Sequence, residues 1–345
     1  MGIFNPSRTG KGLRRLAFAG VLALTVTGCG GPGGGTGTAS GGGKAGDDCK
    51  GGAVHSVTIA YQPGLGYAPL LLIKQQRTLE KAMPDVKIEW RQLNSGAAIR
   101  DSMISKNIQV GSGGIGPFLV GVNGGVDWKV ITALNDMSLH IMVKDPAIKS
   151  VKDLKGKGSI AMPGPDSIQS VVLRKAAKEQ LGDAKALDSQ IVAMGHPDGV
   201  QALIGGQIAA HVTSPPFQSQ EAERGAHKIL ESYDLFGKHT FNSAFVLSDF
   251  ANCNPQFVTS LVDEVTSANK MLTDQPAKAG AILATEMGAD AAVVEKQITS
   301  EGVSFPVTPT GFGTFAKFMA EVGLLKKVPE TSELFLKTSA TEGAD

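Results

Sequence analysis

The chain has 345 residues, and its 33 Lys and Arg against 32 Asp and Glu leave a formal charge of +1. That balance gives no basic field for a phosphate backbone and argues against nucleic-acid binding. A hydrophobic share of 42% with mean hydropathy near zero is that of a globular chain, not a membrane bundle. Three cysteines are too few for a disulfide scaffold, and the length allows roughly two domains of ordinary size.

Residues 1–28 read as an export signal. Arg8, Lys11, Arg14 and Arg15 stand without any acidic residue, the apolar run Leu16–Val26 follows, and small residues precede Cys29. The run is well short of the ~20 residues that span a bilayer. Val26-Thr27-Gly28-Cys29 resembles the bacterial lipobox, which implies lipidation of Cys29 and a place on the extracytoplasmic face of the cell membrane. Removing four basic residues with the signal leaves 29 against 32, so the mature chain carries about −3. Residues 29–54 are the lipidated cysteine and a tether: 12 glycines among residues 30–52 leave too little apolar surface to fold. The polar stretch 336–345 is expected as a flexible tail.

From residue 57 the chain alternates strand, turn and helix. Val57–Ala60 is a strand, Gln62–Gly66 a turn, and Ala68–Met83 a helix with Pro69 in its first turn. Val86–Trp90, the turn Asn94–Gly96, helix Ala97–Lys106 and strand Ile108–Val110 follow. A glycine turn over Gly111–Pro117 then leads to helix Phe118–Asn123 and strand Val130–Leu134. The pattern restarts with strands Leu139–Val143 and Ser159–Met162, and helix Ser167–Leu181 with Asp166 as its N-cap. Strand Gln190–Ala193, helix Gly199–Gly205, strand Ala209–Thr213 and helix Pro216–Arg224 complete a second unit. Phe245–Leu247 is a strand, and helices over Pro255–Leu272, Pro276–Glu286, Ala291–Ile298 and Gly311–Val322 close the chain. One α/β unit nested in another predicts two doubly wound lobes joined by two crossings. Lobe one would be 55–136 with 242–335, lobe two 137–241, and the crossings near Asn135–Met137 and Thr240–Asn242.

Three segments carry a resemblance. They are the run Ile59–Leu70 (IAYQPGLGYAPL), Val110–Gly114 (VGSGG) and Ile148–Lys157 (IKSVKDLKGK). In this order the chain resembles the solute-binding proteins of ABC importers, in the branch of alkanesulfonate, taurine and nitrate binders. That branch is also similar to the enzymes making the thiamine pyrimidine precursor. The resemblance covers about residues 56–325. It implies a type II periplasmic-binding-protein fold, hinge closure on a small solute, and delivery to a permease driven by its ATPase subunits, with the receptor a monomer and no cofactor. The chain departs from the family at Thr213-Ser214-Pro215-Pro216-Phe217, where many relatives carry Trp or an acidic residue before the proline.

Ligands of doubly wound sheets sit outside the carboxyl ends of the strands, where helix N-termini present unpaired N–H groups. Four turns fit: Gly64–Tyr67 (Gly64, Leu65, Gly66, Tyr67) and Ser112–Gly116 (with Gly113, Gly114 and Ile115) in lobe one, Pro165–Ile168 (with Asp166 and Ser167) and Ser214–Phe217 (with Pro215) in lobe two. Gln62, Asn135, Asp136 and His196 complete the candidate ligand set. The same residues also suit ordinary turns and caps. None of these turns contains Lys or Arg, Arg91 being nearest, so a multiply charged anion is disfavoured. Tyr67, Phe118 and Phe217 could cover an apolar portion, and Asp136, Asp166 and Asp198 could meet an amino group. The first expectation is therefore a sulfonate-type anion. A neutral or zwitterionic heterocycle such as a thiamine precursor comes second, and a thiamine-pyrimidine-synthase-like enzyme or a ligand-presenting sensor lipoprotein remains open.

Gly111–Gly116 spells G-x-G-x-x-G with Asp136 beyond it, but Pro117 follows at once and the match sits in the third βα unit, so a dinucleotide site is rejected. The six histidines show no paired-ligand spacing for a metal, and no G-x-S-x-G elbow marks a hydrolase serine. No catalytic residue is expected. With Cys29 acylated in an oxidising compartment, a Cys49–Cys253 disulfide is expected, because the strand Phe245–Leu247 should run antiparallel from the cleft and deliver Cys253 to the edge where the first strand begins.

Overall fold

The computed structural model describes residues 54–345. The export signal, Cys29, the glycine-rich tether and Cys49 lie outside the described residues. The first unit opens with β1 (Ser56–Tyr61), buried over all but its first residue, and α1 (Ala68–Gln76) with Pro69 in its first turn. The single helix expected over Ala68–Met83 is broken: Arg77 takes a left-handed φ of 53°, and a separate short α2 (Thr78–Ala82) follows. Next come β2 (Lys87–Gln92) and α3 (Gly96–Ile104), whose N-cap Ser95 accepts the Ala98 N–H at 3.2 Å. The expected glycine turn is in fact the end of the fully buried β3 (Val110–Gly114), and α4 (Ile115–Asn123) starts directly from it. Glycine serves here because Cβ atoms on β3 would strike neighbours: at Gly111 one would lie 2.3 Å from Met103 Sδ. The unit ends in β4 (Trp128–Met137).

The second unit holds β5 (His140–Val143), β6 (Ile160–Met162), α5 (Ile168–Leu181), β7 (Ile191–Ala193), α6 (His196–Ile204), β8 (Ala210–Thr213) and α7 (Phe217–Ala222). It closes with β9 (His227–Glu231) and α8 (Ser232–Phe236), elements that the sequence pattern did not signal because β9 is short and largely half-buried. The N-cap of α5 is Ser167, whose hydroxyl accepts the Ser170 N–H at 3.2 Å, and not Asp166. The chain returns through β10 (Thr240–Leu247), of which the expected Phe245–Leu247 strand is only the end. It finishes with α9 (Ser248–Cys253), α10 (Pro255–Asp274), α11 (Pro276–Met287), α12 (Ala291–Ile298), the two-residue β11 (Val303–Ser304), α13 (Phe312–Glu321) and α14 (Thr331–Leu334).

Two sheets result, with orders β11-β4-β10-β3-β1-β2 and β7-β6-β8-β5-β9. They repeat one plan. In each, three strands pair in parallel (β2-β1-β3 and β7-β6-β8), and the strand that arrives from the other sheet, β10 or β5, adds antiparallel beside them. A strand entering from the neighbouring unit starts at the end facing that unit, whereas the parallel strands finish there. Antiparallel pairing follows from that geometry alone. Asn242 at the start of β10 thus sits opposite Gly114 at the end of β3. In both sheets the strand order reverses at the first strand (β1 and β6), so the switch points where helix N-termini gather face each other.

The expected flexible tail over 336–345 does not hold. The Leu336 N–H donates to Val130 O at 2.9 Å, the Thr338 hydroxyl to Ile131 O at 2.8 Å, and Ala340 is buried. Asp345 accepts from the Gly311 and Phe312 N–H groups, closing the start of α13. A polar sequence is held because the open edge of β4 offers it carbonyl partners. Deleting residues 336–345 should therefore lower the melting temperature by several degrees, since a loss of even ~1 kcal/mol moves a protein of this size by about 2–4 °C. An unchanged melt would show the strap to be loose in solution.

Candidate functional site

Between the two switch points lies a small cavity of about 30 Å³. That is room for a few waters or a compact polar headgroup. Its wall is built from helix starts. Gly96 opens α3, Gly114 caps α4, Ser167 and Ile168 start α5, and Gly195 and His196 start α6. Gly66 and Tyr67 lead into α1 from a further side. Each start carries a partial positive charge and leaves first-turn N–H groups without intrahelical partners, although the Ala98 and Ser170 N–H groups are taken by the N-cap hydroxyls of Ser95 and Ser167. No Lys, Arg, Asp or Glu is among the residues that line it.

The polar side chains at the wall are neutral and tied together. Gln62 Nε2 donates to the Tyr67 hydroxyl at 2.6 Å, and that hydroxyl donates to Asn242 Oδ1 at 3.3 Å. Burial holds the Tyr67 phenol protonated far above neutrality. Asn135 Nδ2 donates to Gly66 O at 2.5 Å from behind the turn. Gly66 admits this packing because a Cβ there would lie 2.3 Å from Asn242 Nδ2. His196 is buried, stacks on Phe217 at a centroid distance of 5.2 Å, and meets Gln169 Nε2 at 3.1 Å and His211 Nε2 at 3.0 Å.

Of the residues expected from sequence, Gln62, Gly66, Tyr67, Gly114, Ser167, Ile168, His196 and Ser214 line the cavity. The others are nearby but turned to structural work. Leu65 and Ile115 are buried in the apolar core, and Ser112 is spent on Ala60 O at 2.6 Å. Gly113 stands behind Gln62, and Asn135 supports the Gly66 turn without reaching the space. Asp136 sits at the crossing with the Thr240 hydroxyl at 3.3 Å and Lys238 at 3.7 Å, and burial raises its carboxyl above the usual range. Asp166 is taken by Arg100 at 2.6 Å. Gly64, Pro215 and Phe217 touch one another across the gap: the Leu65 N–H donates to Pro215 O at 3.3 Å, and a Cβ on Gly64 would lie 3.1 Å from Phe217. The sequence pattern passed over Asn94, Gln169, Phe241 and Asn242. Asn94 was visible as a turn residue but not as a ligand group; Asn242 is brought in only by the antiparallel return of β10.

The two units are shut on each other. Gly116 of α4 abuts the backbone of Asp166–Ile168, Arg100 pairs with Asp166, and Lys178 of α5 pairs with Glu321 of α13. Ile168, Val171 and Val172 of α5 join the apolar cluster of the first sheet.

The chain matches the NMT1-like family over residues 50–285. It belongs to that family. It is 26% identical to a protein of Escherichia coli (strain K12) named as an aliphatic sulfonates-binding protein, over 81% of this chain and 83% of that one. It is also 26% identical to the taurine-binding periplasmic protein of the same organism, over 64% and 68%. Among solved structures, the alkanesulfonate-binding protein of Xanthomonas axonopodis pv. citri bound to MOPS superposes with a TM-score of 0.67 at 21% identity, covering 81% of this chain and 96% of that one. The periplasmic nitrate-binding protein of Synechocystis PCC 6803 gives 0.68 at 14%, covering 81% and 84%. The fold of this NMT1-like protein is thus that of a type II periplasmic binding protein, with the two sheets and two crossings expected from the sequence.

Two outcomes are expected from this geometry. A methyl group on Gly116 would lie 2.8 Å from Asp166 O and 2.9 Å from the Ile168 nitrogen, backbone atoms of the facing unit that do not yield. Gly116→Ala should leave each unit folded, alanine being favourable in a helix, yet hold the gap open. Small-angle scattering should show a larger radius of gyration than wild type, and an equal radius would contradict the packing. Burial also keeps His196, His211 and His239 neutral, His211 down to about 3 and His239 to about 4. Their unfolded counterparts protonate near 6.5, so this stability is present above that pH and lost as pH falls toward 4. Burial of Glu221, up to about 8, and of Asp136 acts in the opposite sense, but for two groups against four, His140 being lowered to about 4 in the same way. Melting temperatures should therefore drop between pH 7 and 5, as a pH series of calorimetric scans would register.

Proposed function

We propose that this protein is the extracytoplasmic solute-binding component of an ABC importer, which closes on a small organic anion of sulfonate type and presents it to the permease. The observation that carries the reading is the convergence of helix starts from both units on one enclosed, uncharged cavity. Backbone donors so placed suit an oxyanion with one negative charge. The named binding partners of the relatives, aliphatic sulfonates and taurine, are compounds of this chemistry. Hinge motion about the two crossings would admit the solute, and the shut form would be what the permease reads. No bond of the solute is made or broken in this role.

The same reading puts the domain on a tether. Residues 1–28 act as a lipoprotein signal, Cys29 carries the lipid, and the glycine-rich stretch to residue 54 lets a monomeric receptor reach its permease at the cell membrane. Cys253 is disulfide-bonded, and the other two cysteines of the chain, Cys29 and Cys49, lie outside the described residues. The Val54 N–H donates to Asn254 Oδ1 at 3.2 Å, so the chain just beyond Cys49 runs beside the residue after Cys253. That proximity supports Cys49 as the partner, fastening the tether to the first unit.

Ethanesulfonate and taurine should raise the melting temperature of the purified protein. At a hundredfold excess over Kd the gain is about 2.7 kcal/mol, or roughly 5–10 °C. Silence from sulfonates and nitrate together with a shift by a neutral heterocycle would replace this solute class by the second expectation. Non-reducing peptide mapping should recover the Cys49 and Cys253 peptides as one linked species, and separate peptides would remove the disulfide assignment.

A further inference from the structure

Four buried side chains from four elements form a single file leading inward from the cavity wall. Gln169 of α5, 3% exposed, meets His196 Nε2 at 3.1 Å. His196 Nδ1 of α6 meets His211 Nε2 of β8 at 3.0 Å, and His211 Nδ1 meets Glu221 Oε1 of α7 at 2.5 Å. His211 and Glu221 are fully buried, and Glu221 Oε2 has no hydrogen-bond partner. The rings are locked in place, since α6 passes so close that a Cβ on Gly199 would lie 2.6 Å from the His211 ring, while Phe217 covers His196.

A neutral imidazole has one donor and one acceptor nitrogen, so in such a file each link dictates the next. With Glu221 ionised, its carboxylate accepts from His211 Nδ1, His211 Nε2 accepts from His196 Nδ1, and His196 Nε2 accepts from the Gln169 amide, as the present geometry places it. The amide oxygen is then the end left for the cavity. Adding one proton reverses every link. It enters at His196 Nε2 from the cavity side, the His196 Nδ1 proton passes to His211 Nε2, and the His211 Nδ1 proton passes to Glu221. One proton is gained and none is lost. The Gln169 amide makes a half-turn, accepting from His196 through its oxygen and offering its NH₂ to the cavity.

We propose that the file Gln169–His196–His211–Glu221 is a proton relay that couples capture of an anion in the cavity to uptake of one proton. The inference rests on the anion-binding reading above and supplies what that site lacks. A wall without Lys or Arg compensates a buried negative charge only by dipoles, whereas a proton stored on Glu221 balances it outright and turns an amide donor toward it. Burial favours the protonated carboxyl, raising Glu221 to about 8, and disfavours the imidazolium forms, so below that pH the proton is already stored when the anion arrives and above it capture draws the proton in. The other titratable groups on elements packed around α7 are engaged elsewhere or exposed. His140 of β5 and Lys228 of β9 both meet Glu231, at 3.4 and 2.9 Å, and His227 meets Ile148 O at 3.0 Å. Asp198 of α6 is exposed, as are Glu223 and Arg224 just beyond α7.

The relay is tested without a ligand by long-range nitrogen–proton NMR of the full chain labelled in its histidines. His196 and His211 should both change from the Nδ1–H to the Nε2–H tautomer as pH falls through the Glu221 transition, and neither should change in Glu221→Gln. Tautomers constant from pH 5 to 10, or switching in Glu221→Gln as well, overturn the relay. The coupling is tested by calorimetric titration of ethanesulfonate at pH 9 in buffers of different ionisation enthalpy. Wild type should take up about one proton per anion and lose affinity about tenfold per pH unit above the transition, and Glu221→Gln should do neither. Binding without proton uptake overturns the coupling. If ethanesulfonate and nitrate bind at no pH while the tautomers still switch, the relay stands, and the anion reading of the cavity falls together with the coupling.

Discussion

An enclosed cavity walled by helix starts and without a charged side chain is the feature around which this molecule is arranged. The cavity between the two sheets is lined by helix starts and neutral side chains, with no ionised group at its wall. Backbone N–H groups at a helix start have no partner within the helix, and a wall made of several such starts is an array of fixed donors that need not reorganise when a solute enters. Such an array holds a single negative charge well and two poorly.

The array depends on topology. Both sheets use three parallel strands whose carboxyl ends point at the cavity, and both accept the incoming strand antiparallel beside them. That shared plan is why α3 and α4 on one side and α5 and α6 on the other all start at the same place. The two units meet at Gly64 against the Phe217 ring, at Gly116 against Asp166–Ile168, at the Leu65 N–H on Pro215 O, and where α5 joins the apolar cluster of the first sheet. The Arg100–Asp166 pair crosses the same seam. It is half-buried and of short reach, the kind of ion pair that adds orientation more than net stability.

Behind the wall, the second unit buries a carboxyl and two imidazoles in line with Gln169. Fully buried ionisable groups are expensive, and a fold that needed only packing there would be served by apolar residues. They connect to the cavity through an amide that can show either a donor or an acceptor, which is what the proposed relay uses. In that proposal the balancing proton is stored away from the solute, and the wall itself stays neutral.

Much of this was legible in the residues themselves. Alternating strand and helix signals, with glycine and proline at the turns, were enough for two α/β units and two crossings, because periodicity and turn chemistry are local properties. The turn residues Gly66–Tyr67, Gly114, Ser167–Ile168, His196 and Ser214 were recognisable for the same reason, although the starts of α4 and α6 lie earlier than the pattern placed them. What only the tertiary structure decided was which of those turn residues face the solute and which face each other. Leu65, Ser112, Ile115 and Asp166 carry the same local signals as their neighbours, yet the core, Ala60 O and Arg100 claim them. Asn242 and the buried line from Gln169 to Glu221 depend on chain segments far apart in sequence. So does the docking of the C-terminal strap on β4. Contacts of that kind arise from the meeting of two surfaces, and no period or spacing along one strand of sequence encodes the other.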